Sequence, residues 1–430
     1  MNPRTVRLID VWLGKPICFV LTALRRVGSR MGPPRGPVPP VRKILLIKMI
    51  EQGATVLAYR AILRAVELVG RENVYFMVFK ENRFIFDLLD LVPAENVMEI
   101  RSKEPLLLML DLMRMTLRAR RAGIDATVDM EFFSRASAII GFLTGARIRV
   151  GLHRFTSEGP YRGDLLTHRH QYNPFLHVAA AYYLLVESVN IDPTQTPQPK
   201  VLVPALDFAP PRFVPAADQV AAVQATLDRL AKRSVGRPIV LLNSNAGDLL
   251  PLRRWPTDHF IALGKRILAD DPGVTLVITG GPNEAEAARQ LAASISPLAI
   301  STAGETSLRD LIVLYTMADV LVTNDSGPGH FATMTGIGSI VLFGPETPAV
   351  FGPISPASEV IRLNLACSPC VNAFNHRFSP CDDPLCMKGI SVEMVYERVN
   401  RLLRGGKDRF PLPVAGGAQQ PQLAVVPTIS

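Results

Sequence analysis

The sequence predicts an α/β protein made of two doubly wound, Rossmann-like halves facing each other across a cleft, preceded by a short hydrophobic and basic helix. Three observations lead there. From residue 41, short β-branched runs alternate with stretches of helical periodicity, the pattern of a parallel sheet wound with helices. A segment holding seven prolines, 192–216, interrupts that alternation, which then restarts. The basic excess sits almost entirely at the amino terminus. Of a net charge of +9 over 430 residues, the first 43 carry nine basic side chains against one acid. The remaining chain is near neutral, so the overall pI of about 9.5 is not the mark of a nucleic-acid-binding body.

The leader comes first. Residues 8–24 are mostly apolar, with Asp10 and Lys15 the only charged side chains, and the cleanest run, 16–24, is too short to cross a bilayer. Arg25 and Arg26 follow where a secretory cleavage site would need small residues. What remains is a short helix bearing Trp12 and Phe19, flanked by Arg4, Arg7, Arg25, Arg26 and Arg30. Such a segment suits an anionic leaflet, at roughly 1 kcal/mol per basic residue near the surface. The competing reading is a helix packed on the protein's own body, or a disordered extension. Residues 31–40, rich in Pro and Gly, then make a stiff tether.

In the first half, 41–191, strands are predicted at 43–48, 74–79, 96–100 and 127–130. Helices are predicted at about 54–69, at 105–122 with Arg118, Arg120 and Arg121 near its carboxyl end, and at 134–144 before Gly145. A Pro-rich linker and helix fill 192–236. The second half, 237–404, offers strands at 238–244, 274–279, 320–324 and 340–343, and helices at 257–268, 284–293, 308–318 and 392–403. The tail, 405–430, has the Gly, Pro and Gln content of a disordered segment. Two such halves place a ligand at facing strand ends.

Three loops at strand ends of the second half carry chemistry. The strand 320–324 runs into Asp325-Ser326-Gly327-Pro328-Gly329-His330, with a helix expected from about Gly329. Its amides and dipole suit a phosphate, and Ser326 and His330 add donors. The loop after 238–244 presents Asn243 and Asn245, followed by Arg253 and Arg254, which can neutralise a diphosphate. Trp255 reads there as packing. A third loop, 280–284, ends in Glu284, which can accept from a ribose or simply favour a helix start. There is no Gly-Lys-Ser/Thr loop, no G-x-G-x-x-G and no D-x-D pair. A diphosphate leaving group would therefore be stabilised by helix ends and by Arg or His.

These residues resemble glycosyltransferase family 9, the heptosyltransferase-like enzymes of lipopolysaccharide core assembly. The matching segments are 43–48 with Gly53, 145–151, 253–256, 280–284, 303–308, 323–330 and 342–345, spread over about 41–403. The resemblance implies a GT-B fold, an acceptor-binding first half, a nucleotide-sugar-binding second half, and metal-independent inverting transfer. It implies that Asp325, Ser326, Gly327 and His330 lie against sugar and diphosphate. Arg253 stands where the family commonly has a phosphate-binding lysine, and Glu284 where it contacts the nucleoside.

One position departs from the family. The Gly-Asp that usually follows the first strand, with Asp as the presumed general base, is Gly53-Ala54 here. A base must come within about 3 Å of the acceptor hydroxyl, directly or through one water. Glu51 is the nearest replacement, with Asp129 and Glu131 at another strand end as alternatives. Four thiols, Cys367, Cys370, Cys381 and Cys386, crowd into 20 residues with His376 between them. They are compatible with a structural zinc, with buried or unpaired thiols, or with redox chemistry.

The resulting expectation is an inverting transferase at the cytoplasmic face of a bacterial inner membrane, peripheral or monotopic. It would use an ADP-heptose-like donor and a glycolipid acceptor, with no catalytic cofactor and no nucleic acid. The alternative is a catalytically silent relative that binds nucleotide sugar or glycolipid as a scaffold. A nucleotide-sugar epimerase on the same fold is a third reading.

Overall fold

The computed structural model describes residues 10–30, 40–102, 104–155, 160–247 and 250–405. Most of the expected tether, the tail from 406, and Arg4 and Arg7 lie outside the described residues. Two compact units emerge. The first holds the described residues up to Phe208 together with Asn372–Arg377, and the second holds Ala209–Val371 and the described residues from Phe378.

Unit 1 runs α1 (Gly14–Arg30), β1 (Ile44–Ile47), α2 (Gln52–Leu57), α3 (Tyr59–Val69), β2 (Val74–Phe79), α4 (Phe84–Leu89), β3 (Val97–Ile100), α5 (Pro105–Ala122), β4 (Ala126–Asp129), α6 (Arg135–Leu143), β5 (Ile148–Leu152), β6 (His168–His170) and α7 (Val178–Glu187). Its sheet is parallel throughout, in the order β3-β2-β1-β4-β5-β6. Every residue of β1 and β4 is buried, because helices cover both faces of the sheet. Leu45, Ile47, Met77, Met98 and Ile100 form a core under the inner face of α5, at Leu108, Leu112 and Met115. Gly123, at φ 69, ends α5 in the left-handed conformation that glycine adopts without strain.

Unit 2 repeats the plan with α8 (Ala217–Ala231), β7 (Ile239–Asn243), α9 (Thr257–Asp270), β8 (Thr275–Ile278), α10 (Ala285–Ile295), β9 (Ile300–Ser301), α11 (Leu308–Met317), β10 (Val320–Asn324), α12 (Gly327–Ala332), β11 (Gly338–Phe343), α13 (Pro348–Phe351), β12 (Ser358–Arg362), α14 (Leu385–Lys388) and α15 (Val392–Gly405). Its parallel order, β12-β11-β10-β7-β8-β9, is that of unit 1. In each unit the winding reverses between the first and fourth strands, where open α/β sheets bind ligands at the carboxyl ends.

Two local expectations change. The helix foreseen over 54–69 is two helices that meet at Ala58, whose φ of −80° and ψ of −3° lie at the edge of the right-handed helical region. Helix α12 starts at Gly327, two residues earlier than foreseen, and spans only six residues. So short a helix, with Pro328 lacking an N–H, supplies little dipole to a phosphate.

Helix α1 packs one face on its own unit. A Cβ at Gly14 would stand 2.8 Å from Arg135 Cδ, and Cys18 is buried with Ala138 and Leu165. Asp10 holds Arg135 at 2.6 Å, and Arg25 pairs with Asp164. The other face leaves Phe19, Val20 and Leu24 exposed, as is Trp12 just before the helix. Among the described residues no helix is long and apolar enough to cross a membrane.

Candidate functional site

The switch point of unit 1 gathers all three candidate carboxylates. Glu131, just past β4, accepts from the Met49 and Ile50 amides at 2.6 and 2.9 Å and from Lys48 Nζ at 3.2 Å. It fastens the loop that leaves β1. Asp129 accepts from Ser137 Oγ at 2.9 Å, from the Glu131 amide at 3.0 Å and from Arg162. Burial raises its pKa, against the opposing pull of Arg162. Both groups are enclosed and fully engaged in holding the fold.

Glu51 is placed differently. Its side chain keeps about 20% exposure, and it pairs with Lys48 at 3.5 Å and with Arg377. Its backbone sits at φ 71, a region that costs a non-glycine residue roughly 1–3 kcal/mol. Lys48 is wholly buried, and burial lowers its pKa despite Glu131 beside it. Burial likewise pushes Arg377 down to about 10.

Six described non-glycine residues have positive φ, and four of them converge here: Glu51, Phe133, His376 and Arg377. The segment Asn372–Arg377 links them, because Phe374 stacks on Phe133 with ring centroids 5.9 Å apart while Arg377 reaches Glu51. Strain concentrated in one spot marks a conformation that the surroundings impose. Neither Arg377 nor the buried Lys48 was assigned a role from the sequence. The only signal was a lysine closing an otherwise apolar strand.

The switch point of unit 2 lies between β7 and β10. Asn324 organises it: its side-chain oxygen accepts from the Trp255 amide at 2.9 Å, and its NH2 donates to the Ser244 and Asn245 carbonyls at 2.9 and 3.4 Å. Arg253 donates to the Ala246 carbonyl at 3.0 Å and stands 3.6 Å from Asp325 Oδ2. Ser326 Oγ donates to the Asn324 carbonyl at 3.0 Å, and His330 is buried in α12. Gly329 lies close to β11, where a Cβ would meet Val341 at 3.2 Å. The amide of Asn243 donates to Thr279 at 3.1 Å, tying β7 to the end of β8. Trp255 is packing, edge-on to Phe260, with its indole N–H on the Ile390 carbonyl.

Glu284 accepts from the Gly281 amide at 2.7 Å and so closes its own turn.

Glu346 joins this group without having been foreseen. It follows β11 by three residues and is buried beside Asp325 and Arg253. Burial, reinforced by Asp325, pushes its pKa up to about 8, so it holds a proton at neutral pH. Asp325 is raised by burial as well, with Arg253 opposing. In the unfolded chain Glu346 ionises in the ordinary carboxylate range. The stability it provides is therefore present at acid pH and lost as pH climbs from about 5 to about 8. Glu346→Gln should gain on the wild type over that window by at least about 1 kcal/mol, roughly 2–4 °C in Tm. Parallel melting curves across pH 5–8.5 would contradict this assignment.

The four clustered cysteines are placed unalike. Cys367 is exposed, Cys370 and Cys381 are half-buried, and Cys386 packs into the core of unit 2 beneath Gly344. Cys370 Sγ donates to Ser379 Oγ at 3.2 Å. His376, the spare ligand, belongs to the segment counted with unit 1. Among the described residues no group of three or more His, Cys, Asp or Glu side chains is placed to hold a metal ion.

Two parallel six-stranded sheets of identical winding, each with polar loops at its switch point, define the GT-B class of fold. The chain matches E. coli ADP-heptose lps heptosyltransferase II at a TM-score of 0.63 and 20% identity, over 84% of this chain and 99% of that one. It matches E. coli heptosyltransferase WaaC with ADP at a TM-score of 0.58 and 17% identity, again over 84% and 99%. In sequence it is 32% identical to lipopolysaccharide heptosyltransferase 2 of Escherichia coli over 117 residues, which is 26% of this chain and 33% of that relative. The aligned stretch thus spans about a third of that relative's length. Residues 114–377 match glycosyltransferase family 9 (heptosyltransferase). The chain belongs to this family.

Proposed function

We propose that this protein transfers a sugar, heptose or a close relative, from a nucleoside diphosphate donor to a lipopolysaccharide-type or other cell-envelope glycan, with inversion at the anomeric carbon. Family membership and the heptosyltransferase fold support the reaction class. A neighbour crystallised with ADP supports an adenosine diphosphate leaving group.

The observation that carries the reading is the division of labour among the three carboxylates. Asp129 and Glu131 are committed to Arg162, Ser137 and the Met49–Ile50 backbone. Glu51 is the one left partly open, held in a strained conformation after β1. In this mechanism Glu51 takes the acceptor hydroxyl's proton as the oxygen attacks the anomeric carbon. Arg253, with Ser326 and His330, stabilises the departing diphosphate, so positive charge comes from the side chains and no metal is required. Asn243, Asn245, Asp325 and Gly327 complete the proposed donor site, and Glu284 shapes the loop facing the nucleoside.

The protein would work at the cytoplasmic face of the inner membrane, held there by the exposed face of α1. Because α1 also packs on unit 1, deleting it would uncover a core surface. The cleaner test is Phe19→Glu with Leu24→Glu, both on the exposed face. The double variant should move from the membrane to the soluble fraction at moderate salt; unchanged fractionation would sink the anchoring role.

Ala54 favours the second reading, a silent donor-binding scaffold. Calorimetry with ADP-heptose, paired with a transfer assay on lipopolysaccharide acceptors, separates the two. Transfer supports the enzyme, and binding without transfer supports the scaffold.

A further inference from the structure

Helix α5 is apolar on two opposite faces. Its inner face, at Leu108, Leu112, Met115 and Ala119, closes the core of unit 1. Leu106, Met109, Leu110, Met113 and Leu117 follow at spacings of three and four residues and form a second stripe, which is exposed, with Leu106 at 72% and Met113 at 57%. A helix with apolar residues on both sides is normally buried on both, so the outer stripe calls for a partner.

The charge pattern identifies the partner. Exposed positions of α5 carry Arg114, Arg118, Arg120 and Arg121 and no acid, while its single acid, Asp111, is buried on the inner side against Arg101. Arg114, Arg118 and Arg121 border a shallow recess that also includes Met115 and Leu117. Guanidiniums beside an apolar stripe match the two layers of a bilayer surface, anionic headgroups above acyl chains. Helix α1, with its own exposed apolar face and Arg26, packs against α6 in the same unit, and so does α5.

We infer that α5 is a second membrane-docking element, lying in an anionic lipid surface through Leu106–Leu117 and its arginines and supplementing α1. This rests on the membrane reading above and extends it to an element far from the leader in sequence. It lies on the surface and does not span it, since no described helix has the length and apolarity to cross.

Co-sedimentation of the full-length protein tests this, using vesicles of phosphatidylglycerol with phosphatidylethanolamine and vesicles of phosphatidylcholine alone. Arg114→Glu with Arg118→Glu and Arg121→Glu should weaken binding to the anionic vesicles by about 100-fold, from a several-fold effect at each position. Leu110→Ser with Met113→Ser and Leu117→Ser should weaken binding to both kinds. All six positions are exposed, so thermal melting should stay near wild type and give the folding control. Wild-type binding by both α5 variants would overturn the inference while leaving α1 as the anchor. Loss of binding by the α1 double variant alone would do the same. If the α5 variants instead turn an oligomer into a monomer in sedimentation velocity, with vesicle binding unchanged, the stripe is a contact between copies of this chain and the inference fails.

Discussion

Glu51→Gln is expected to lower kcat by about 10²–10⁴-fold while leaving donor affinity near wild type. The amide keeps the size of the side chain and its place after β1, but it cannot accept a proton. By contrast, Glu131→Gln should act mainly on stability, since its oxygens hold the Met49 and Ile50 amides and the buried Lys48. A stopped assay of nucleoside diphosphate release, read beside a melting curve, separates the two effects. If Glu51→Gln turns over like wild type, Glu51 is not the base. Placing aspartate at position 54 in the Glu51→Gln background then asks whether the carboxylate position usual in the family still reaches the reaction. Ala54 is almost fully buried, so that aspartate must overcome its own desolvation and should restore only part of the rate.

The second large effect concerns Arg253. Its guanidinium is the cation opposing the burial of both Asp325 and Glu346. Arg253→Met leaves the two acids enclosed without it, and removing one partner of a buried pair costs about 3–5 kcal/mol. For a chain of this size the melting temperature should fall by roughly 10 °C. Donor affinity should fall as well, because the diphosphate loses its main countercharge. Arg253→Lys keeps the charge but gives up the donation to the Ala246 carbonyl, so it should retain most of the stability and part of the donor affinity. Equal losses in both variants would mean that the fork geometry matters more than the charge. Calorimetry with ADP, alongside denaturant unfolding, distinguishes these outcomes.

Much of this architecture can be read from the sequence because both sheets are parallel and covered on both faces. Strand 74–79 and helix 105–122 have the limits expected of them, since a short apolar, aromatic-rich run and a long Leu/Met helical period each leave a local signature. Strands β5 and β6 lack an apolar run: Arg149 and Gly151 interrupt β5, and β6 is three residues, His168-Arg169-His170. Helix α7, with an Ala-Ala-Ala-Tyr-Tyr-Leu-Leu core, is buried almost all round and shows no polar face to set its period.

The loops proposed to hold the donor can be read from the sequence as residues but not as a network. Nothing local says that Asn324 ties β10 to the loop after β7, or that Glu284 spends its carboxylate on Gly281. Glu346, an acid after Gly344-Pro345, carries no local signal, and only the fold encloses it beside Asp325. The Glu51–Arg377 pair joins positions more than 300 residues apart in the chain, through a segment whose unit could not be inferred from its sequence neighbours. Long-range pairing of this kind arises from topology and leaves no periodic trace.

Inverting transfer with Glu51 as base makes a direct demand on the reaction products. The most direct measurement incubates the full-length protein with ADP-heptose and a heptose-accepting lipopolysaccharide. It follows ADP release and reads the anomeric configuration of the product by NMR. Stoichiometric ADP and glycan product are expected, with configuration opposite to the donor and loss of both with Glu51→Gln. A product of retained configuration, or full turnover by Glu51→Gln, would contradict this expectation.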